Sequence, residues 1–203
     1  RSPNSYQEYE GRVNDIIENV RANKDAAVFS YTEKFDGAKI DADSILVTEE
    51  EIAEAYELVD AKLLEIIRKS KVNIEKYHAK QLQNSWFTTE EGIILGQKVT
   101  PLDVAGVYVP GGKAVYPSST LMNVIPARVA GVKSVVMTTP PGPDGKVNPG
   151  ILVAAKIAGV DKIYKVGGAQ AIAALAFGTE TVEKVDKIVG PGNIFVALAK
   201  RAV

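Results

Sequence analysis

The chain has 203 residues, 46% hydrophobic and 24% charged, and its 24 basic and 25 acidic side chains leave a net charge of -1. That balance suits one substantial globular core and argues against nucleic acid or an anionic membrane as partner. There is no cysteine, which removes disulfides, thiolate metal sites and thiol nucleophiles and fits a cytoplasmic location.

The amino end, "RSPNSYQEYEGR", lacks the basic start and apolar centre of a signal peptide, and no apolar run is long enough to predict a membrane span. Val13, Ile16, Ile17 and Val20 then recur at helical spacing with charges opposite, which predicts an amphipathic surface helix. Thr48 followed by Glu51 has the form of a capping box. Ile52, Tyr56, Val59, Leu63, Ile66 and Ile67 continue a helical stripe, giving one long helix or a helical pair to about Gln81. The acidic run Glu49 to Glu51 reads as a first turn favoured by the helix dipole rather than as metal ligands. Next, "SWFTTEEGIILGQKVTPLD" predicts a hairpin with Glu91-Gly92 at the turn and Ile93 to Val99 returning. Trp86 is expected to pack between the helical region and the segment that follows it.

Near residue 100 the pattern changes to alternating strands and helices. Strands are predicted near Val104–Val109, Ser134–Thr138, Lys162–Val166 and Lys187–Val189, with helices near Ser118–Ala130, Pro149–Ala158 and Ala169–Phe177. Apolar strands joined by helical crossovers imply an α/β class: a Rossmann-like parallel sheet with helices on both faces, preceded by a helical region. The expected organisation is therefore 1–103, helical with a strand hairpin, and 104–203, Rossmann-like. The Pro- and Gly-rich "TTPPGPDGKVNPG" follows the second strand of the sheet, at the carboxyl end where ligand crevices form. The last helical pattern runs to Val203 without a cap, so the chain reads as part of a longer protein.

Three strand ends carry glycine turns that open helices: Gly111-Gly112, Gly167-Gly168 and Gly190-Pro191-Gly192. Free backbone N–H groups and the positive end of a helix dipole suit a phosphate there, although a glycine at any one of these sites also serves simply to turn the chain. The turns do not fit G-x-G-x-x-G, and Thr138-Thr139-Pro140-Pro141 stands where an acidic ribose ligand is usual. Tyr108, Gln170 and Asn193 are the side chains placed to help. Each has an equal structural alternative: Tyr108 as core, Gln170 as a solvated first-turn residue, Asn193 as a helix cap. Lys113 reads as a solvated loop lysine, and the single histidine, His78, as a solvated helix residue.

Five blocks in order, "YTEKFDG", "LGQKVTPLD", "GVYVPGGKAVYPSSTLMNVIPARVAGV", "VGGAQAIAALAFGTE" and "KVDKIVGPGN", closely resemble the amino-terminal half of the histidinol dehydrogenases. The resemblance implies a zinc-dependent homodimer that oxidises L-histidinol through L-histidinal to L-histidine with NAD, closing histidine biosynthesis. It also implies that Tyr108, Gln170 and Asn193 contact the NAD. The family's zinc ligands (two His, a Gln and an Asp) and its catalytic Glu-His pair follow "GPGN", so no metal or catalytic residue is expected within this chain. The alternatives are a free-standing nucleotide-binding module without catalysis and an interaction domain whose glycines only turn strands.

Overall fold

The computed structural model describes residues 6–111 and 116–203. Its first element, helix α1 (Gln7–Asp36), is kinked at Lys24, where φ is 47° and ψ is -125°. The kink is held from outside the helix: the Asp25 N–H donates to Glu180 at 3.1 Å, and the Thr181 hydroxyl donates to the Asp25 carboxylate at 2.9 Å. Both arms can then bury an apolar face, with Val13, Ile16, Ile17 and Val20 before the kink and Ala27 and Val28 after it. Helix α1 ends at Gly37, in the left-handed region, whose N–H caps the Glu33 carbonyl.

The second helical stripe is a pair. Helix α2 (Glu49–Leu58) opens on the expected capping box, and α3 (Ala61–His78) starts afresh where Asp60 accepts from the N–H groups of Lys62 and Leu63. A short 3-10 turn, Ala79–Gln81, follows. Ile67 is buried while Leu63 and Ile66 are exposed, so the apolar stripe of α3 is wider than the surface it covers. The hairpin forms from β1 (Trp86–Glu90) and β2 (Ile93–Gln97), antiparallel, with Gly92 at φ 76° in the turn. The returning strand is shorter than expected, and Trp86 is not packed as expected. The returning strand stops at Gln97, after which the Val99 N–H donates to the Ser85 hydroxyl at 2.8 Å. Trp86 is 55% exposed and is no packing anchor, because every residue of this two-stranded ribbon faces solvent.

The sheet is β3 (Val104–Tyr108), β4 (Ser134–Thr139), β5 (Lys162–Lys165) and β6 (Lys187–Val189), all parallel, in the order β5-β4-β3-β6. Helices α4 (Pro117–Val129), α5 (Pro149–Ala158), α6 (Gly168–Phe177) and α7 (Ile194–Ala202) make the crossovers and the last element. Alternate residues of the strands enter two cores. Tyr108, Val136 and Tyr164 join α1, α6 and α7 on one face. Val107, Val135, Met137 and Ile163 join α2, α4 and α5 on the other. Both faces are thus covered, as an all-parallel sheet requires, and the expected α/β class is the observed one.

The outer edge of β5 is protected by the segment before α2. The Lys165 N–H donates to the Ile45 carbonyl at 2.8 Å and the Val47 N–H to the Ile163 carbonyl at 2.9 Å. One side chain ties this segment down. Glu51 completes the capping box with the Thr48 N–H at 2.9 Å and accepts from the Lys165 ammonium at 2.6 Å. The Lys165 side chain is 8% exposed, and that carboxylate is its ion-pair partner. Removing one partner of a buried ion pair costs about 3 kcal/mol or more, whereas removing both costs far less. Glu51→Ala should therefore lower unfolding stability in urea by about 3 kcal/mol, and adding Lys165→Met should recover most of it. Equal stability of wild type and Glu51→Ala would show that the pair holds nothing together.

Candidate functional site

The chain runs β3, β4, β5 outward in one direction and then crosses back to place β6 on the far side of β3. Loops leaving β3 and β6 therefore part from each other, and an open α/β sheet forms its ligand crevice at such a point. A cavity of about 690 Å³ lies there, and Tyr108, Gln170 and Asn193 all line it. The three residues singled out from sequence are thus brought together from β3, α6 and α7. Of the glycine turns, Gly111 and Gly168 also line the cavity. Gly112 and Lys113 lie outside the described residues.

Tyr108 is 4% exposed, at the end of β3, and is both core residue and cavity wall. Its hydroxyl accepts from the Gly168 N–H at 3.1 Å, at the first turn of α6. Burial, opposed by that N–H and reinforced by the nearby Asp36 charge, holds the phenol above its ordinary range. The hydroxyl stays protonated at neutral pH and keeps its proton available for a ligand acceptor. Close packing fixes this strand end. A Cβ on Gly190, at φ 115°, would lie 2.0 Å from the Tyr108 carbonyl oxygen, so only glycine lets the β6 loop pass. The Lys200 ammonium pins the same loop by donating to the Gly190 carbonyl at 2.6 Å.

Gln170 sits in the first turn of α6 and is 1% exposed, which removes the solvated reading. Neither its amide nitrogen nor its amide oxygen has a hydrogen-bond partner among the described residues. Leaving such a group buried and unpaired costs about 1–3 kcal/mol, and donor and acceptor atoms at a cavity wall are what a polar ligand satisfies. Gly168, at φ 66°, makes room for this side chain: a Cβ there would lie 2.6 Å from the Gln170 amide oxygen. Asn193 realises the cap reading, its side-chain oxygen accepting from the Val196 N–H at 3.2 Å. Its amide nitrogen is left to donate elsewhere. The positive ends of α6 and α7 are therefore both at the cavity, with Gly168 and Asn193 at their starts.

The wall opposite the sheet is α1, which the sequence reading did not associate with the crevice. Arg12, Tyr31, Phe35 and Asp36 line the cavity from it, and the Tyr31 and Phe35 rings stack at 5.6 Å. Asp36 is the residue that sequence reasoning missed. One carboxylate oxygen is buried without a partner among the described residues, and burial raises its pKa to about 6 from an ordinary 3.8. The available signal was local: Asp36 is the last residue of a helix, just before the capping Gly37, where the dipole disfavours an anion. Among the described residues no group of three or more His, Cys, Asp or Glu side chains stands ready for a metal ion. His78 closes α3, donating from Nδ1 to the Gln81 amide oxygen at 2.6 Å, away from this cavity.

The raised Asp36 pKa has a defined sign for stability. The folded carboxyl holds its proton more tightly than the unfolded one, so its favourable contribution is complete below about pH 4 and lost as pH rises through about 6. Without ligand, Asp36→Asn should gain thermal stability relative to wild type as pH rises from 4 to 7. Thermal melts across that range check this, and a pH-independent difference would contradict it.

A family profile described as histidinol dehydrogenase matches residues 1–203. The histidinol dehydrogenase of Bacillus subtilis (strain 168) is 63% identical over 198 residues, which is 97% of this chain and 46% of that protein. The enzyme of Geobacillus kaustophilus (strain HTA426) is 62% identical over 198 residues, again 46% of its length. The crystal structure of histidinol dehydrogenase from Elizabethkingia anophelis superposes with a TM-score of 0.90 at 41% identity, covering 100% of this chain and 46% of that one. The chain thus spans about half the length of the curated relatives it matches. With sequence and fold agreeing along its whole length, it belongs to the histidinol dehydrogenase family.

Proposed function

We propose that this chain forms the NAD-binding half of a cytoplasmic, homodimeric enzyme that oxidises L-histidinol through L-histidinal to L-histidine. The observation that carries the reading is the buried, unpaired Gln170 amide, facing a cavity it shares with Tyr108 and Asn193 in a chain of this family. A volume of about 690 Å³ is in the range of cofactor sites. Absence of a charged fingerprint residue on β4 is compatible with a dinucleotide held by neutral groups. The homodimer, the substrate and the cytoplasmic location rest on the family alone. No helix of the described residues is long and apolar enough to cross a membrane.

In this reading the chain binds and orients, and NAD, when bound, accepts hydride from the substrate carbon. The Tyr108 hydroxyl donates to the cofactor while the Gly168 N–H keeps the ring from turning. Gln170 offers both a donor and an acceptor from a fixed position, so little ordering is needed when the ligand arrives. Asn193 adds a donor at the start of α7, and the two helix amino ends favour the negatively charged pyrophosphate. Zinc is also implied by the family, but the described residues supply no ligand set for it. Its ligands are proposed to come from outside this stretch, as the family resemblance implies.

The test uses the natural full-length protein. Gln170→Leu replaces an unsatisfied amide by an apolar side chain of similar size, a change that is neutral or stabilising in the empty protein. It should leave the melting temperature equal or higher, leave the zinc content unchanged, and weaken NAD binding by about tenfold or more. Calorimetric titration and metal analysis on one preparation read all three. Unchanged NAD affinity would overturn the reading.

A further inference from the structure

The NAD-binding reading leaves one cavity group without a task. Asp36 reaches the crevice from α1, and its buried oxygen meets no donor among the described residues. Its position gains nothing for the fold. It stands at the negative end of a helix whose cap is already supplied by Gly37, and a desolvated carboxylate there is unfavourable twice over. Residues that break local rules in this way are expected where function demands them.

The strand that should carry an acidic ribose ligand has none. β4 ends in Thr138 and Thr139, both fully buried with hydroxyls unpaired, before Pro140. A carboxylate is nevertheless present at the same crevice, delivered by α1 instead of β4. Asp36 and Tyr108 line the same cavity, so the carboxylate stands on the crevice side of β3.

We propose that the Asp36 carboxylate accepts hydrogen bonds from the adenosine ribose of the dinucleotide and selects a free 2′-hydroxyl over a 2′-phosphate. This rests on the NAD-binding reading above. The chemistry is that of a carboxylate and a diol, and a phosphate in its place brings like charges together in a poorly solvated site. Two cations share the cavity, Arg12 and Lys34, together with Asp15. Arg12 lies over the Phe195 ring at 5.8 Å and Lys34 over the Phe35 ring at 5.5 Å. Among the described residues neither forms an ion pair with Asp36.

The experiment measures dissociation constants for NAD and NADP with the natural full-length protein and its Asp36→Asn and Asp36→Ser variants. Wild type should favour NAD. Both variants should weaken NAD by roughly ten- to a hundredfold, the worth of a hydrogen bond to a charged group, while NADP binding stays equal or tightens. The preference thereby shrinks or reverses, which a merely structural role would not produce. Two variants are read so that failure of one to fold leaves the other to decide. If both dinucleotides weaken equally, or NAD is unaffected, the role of Asp36 is overturned while the NAD-binding reading stands. If wild type binds no NAD, both fall together.

Discussion

An all-parallel sheet exposes no face to water, and the way this chain covers its sheet determines where its crevice lies. Tyr108, Val136 and Tyr164 face one side while Val107, Val135 and Met137 face the other. The second side is covered by α2, α4 and α5. For the first, α6 and α7 are joined by α1, which comes from the far amino end and packs across both. Covering that face therefore also raises a wall beside the carboxyl end of β3. The crevice is a consequence of burial: sheet edge and glycine turns on one side, the end of α1 on the other.

Close packing and unsatisfied polarity meet in that crevice. Gly190 passes so near the Tyr108 carbonyl that no side chain fits, and Tyr108 in turn holds the first N–H of α6. These contacts fix the polar atoms in place before any ligand arrives. Against this ordered background, the Gln170 amide and one oxygen of Asp36 have no partner. A stable fold ordinarily satisfies such atoms, so keeping three of them at one cavity costs the fold stability that the proposed dinucleotide would offset.

Much of this was legible in the sequence, and the remainder fails for identifiable reasons. Periodicity located the strands within a residue or two, because each is bounded by glycine or proline and flanked by apolar helices. The capping box at Thr48 and Glu51 formed as expected because its signal is local. Tyr108, Gln170 and Asn193 came together because they follow equivalent strand ends. What depended on distant parts of the chain was not legible. The exposure of Trp86 depends on what covers the hairpin, the burial of Gln170 on the return of α1, and the place of Asp36 in the crevice on a kink at Lys24 that no residue pattern announces.

The proposed dinucleotide lies in the crevice between α1 and the carboxyl ends of β3 and β6. A crystal structure of the natural full-length protein grown with NAD tests this most directly. Cofactor density is expected in that crevice, with the Gln170 amide and the Asp36 carboxylate within hydrogen-bond distance of it. A dinucleotide bound elsewhere, with both groups still unpartnered, would contradict it.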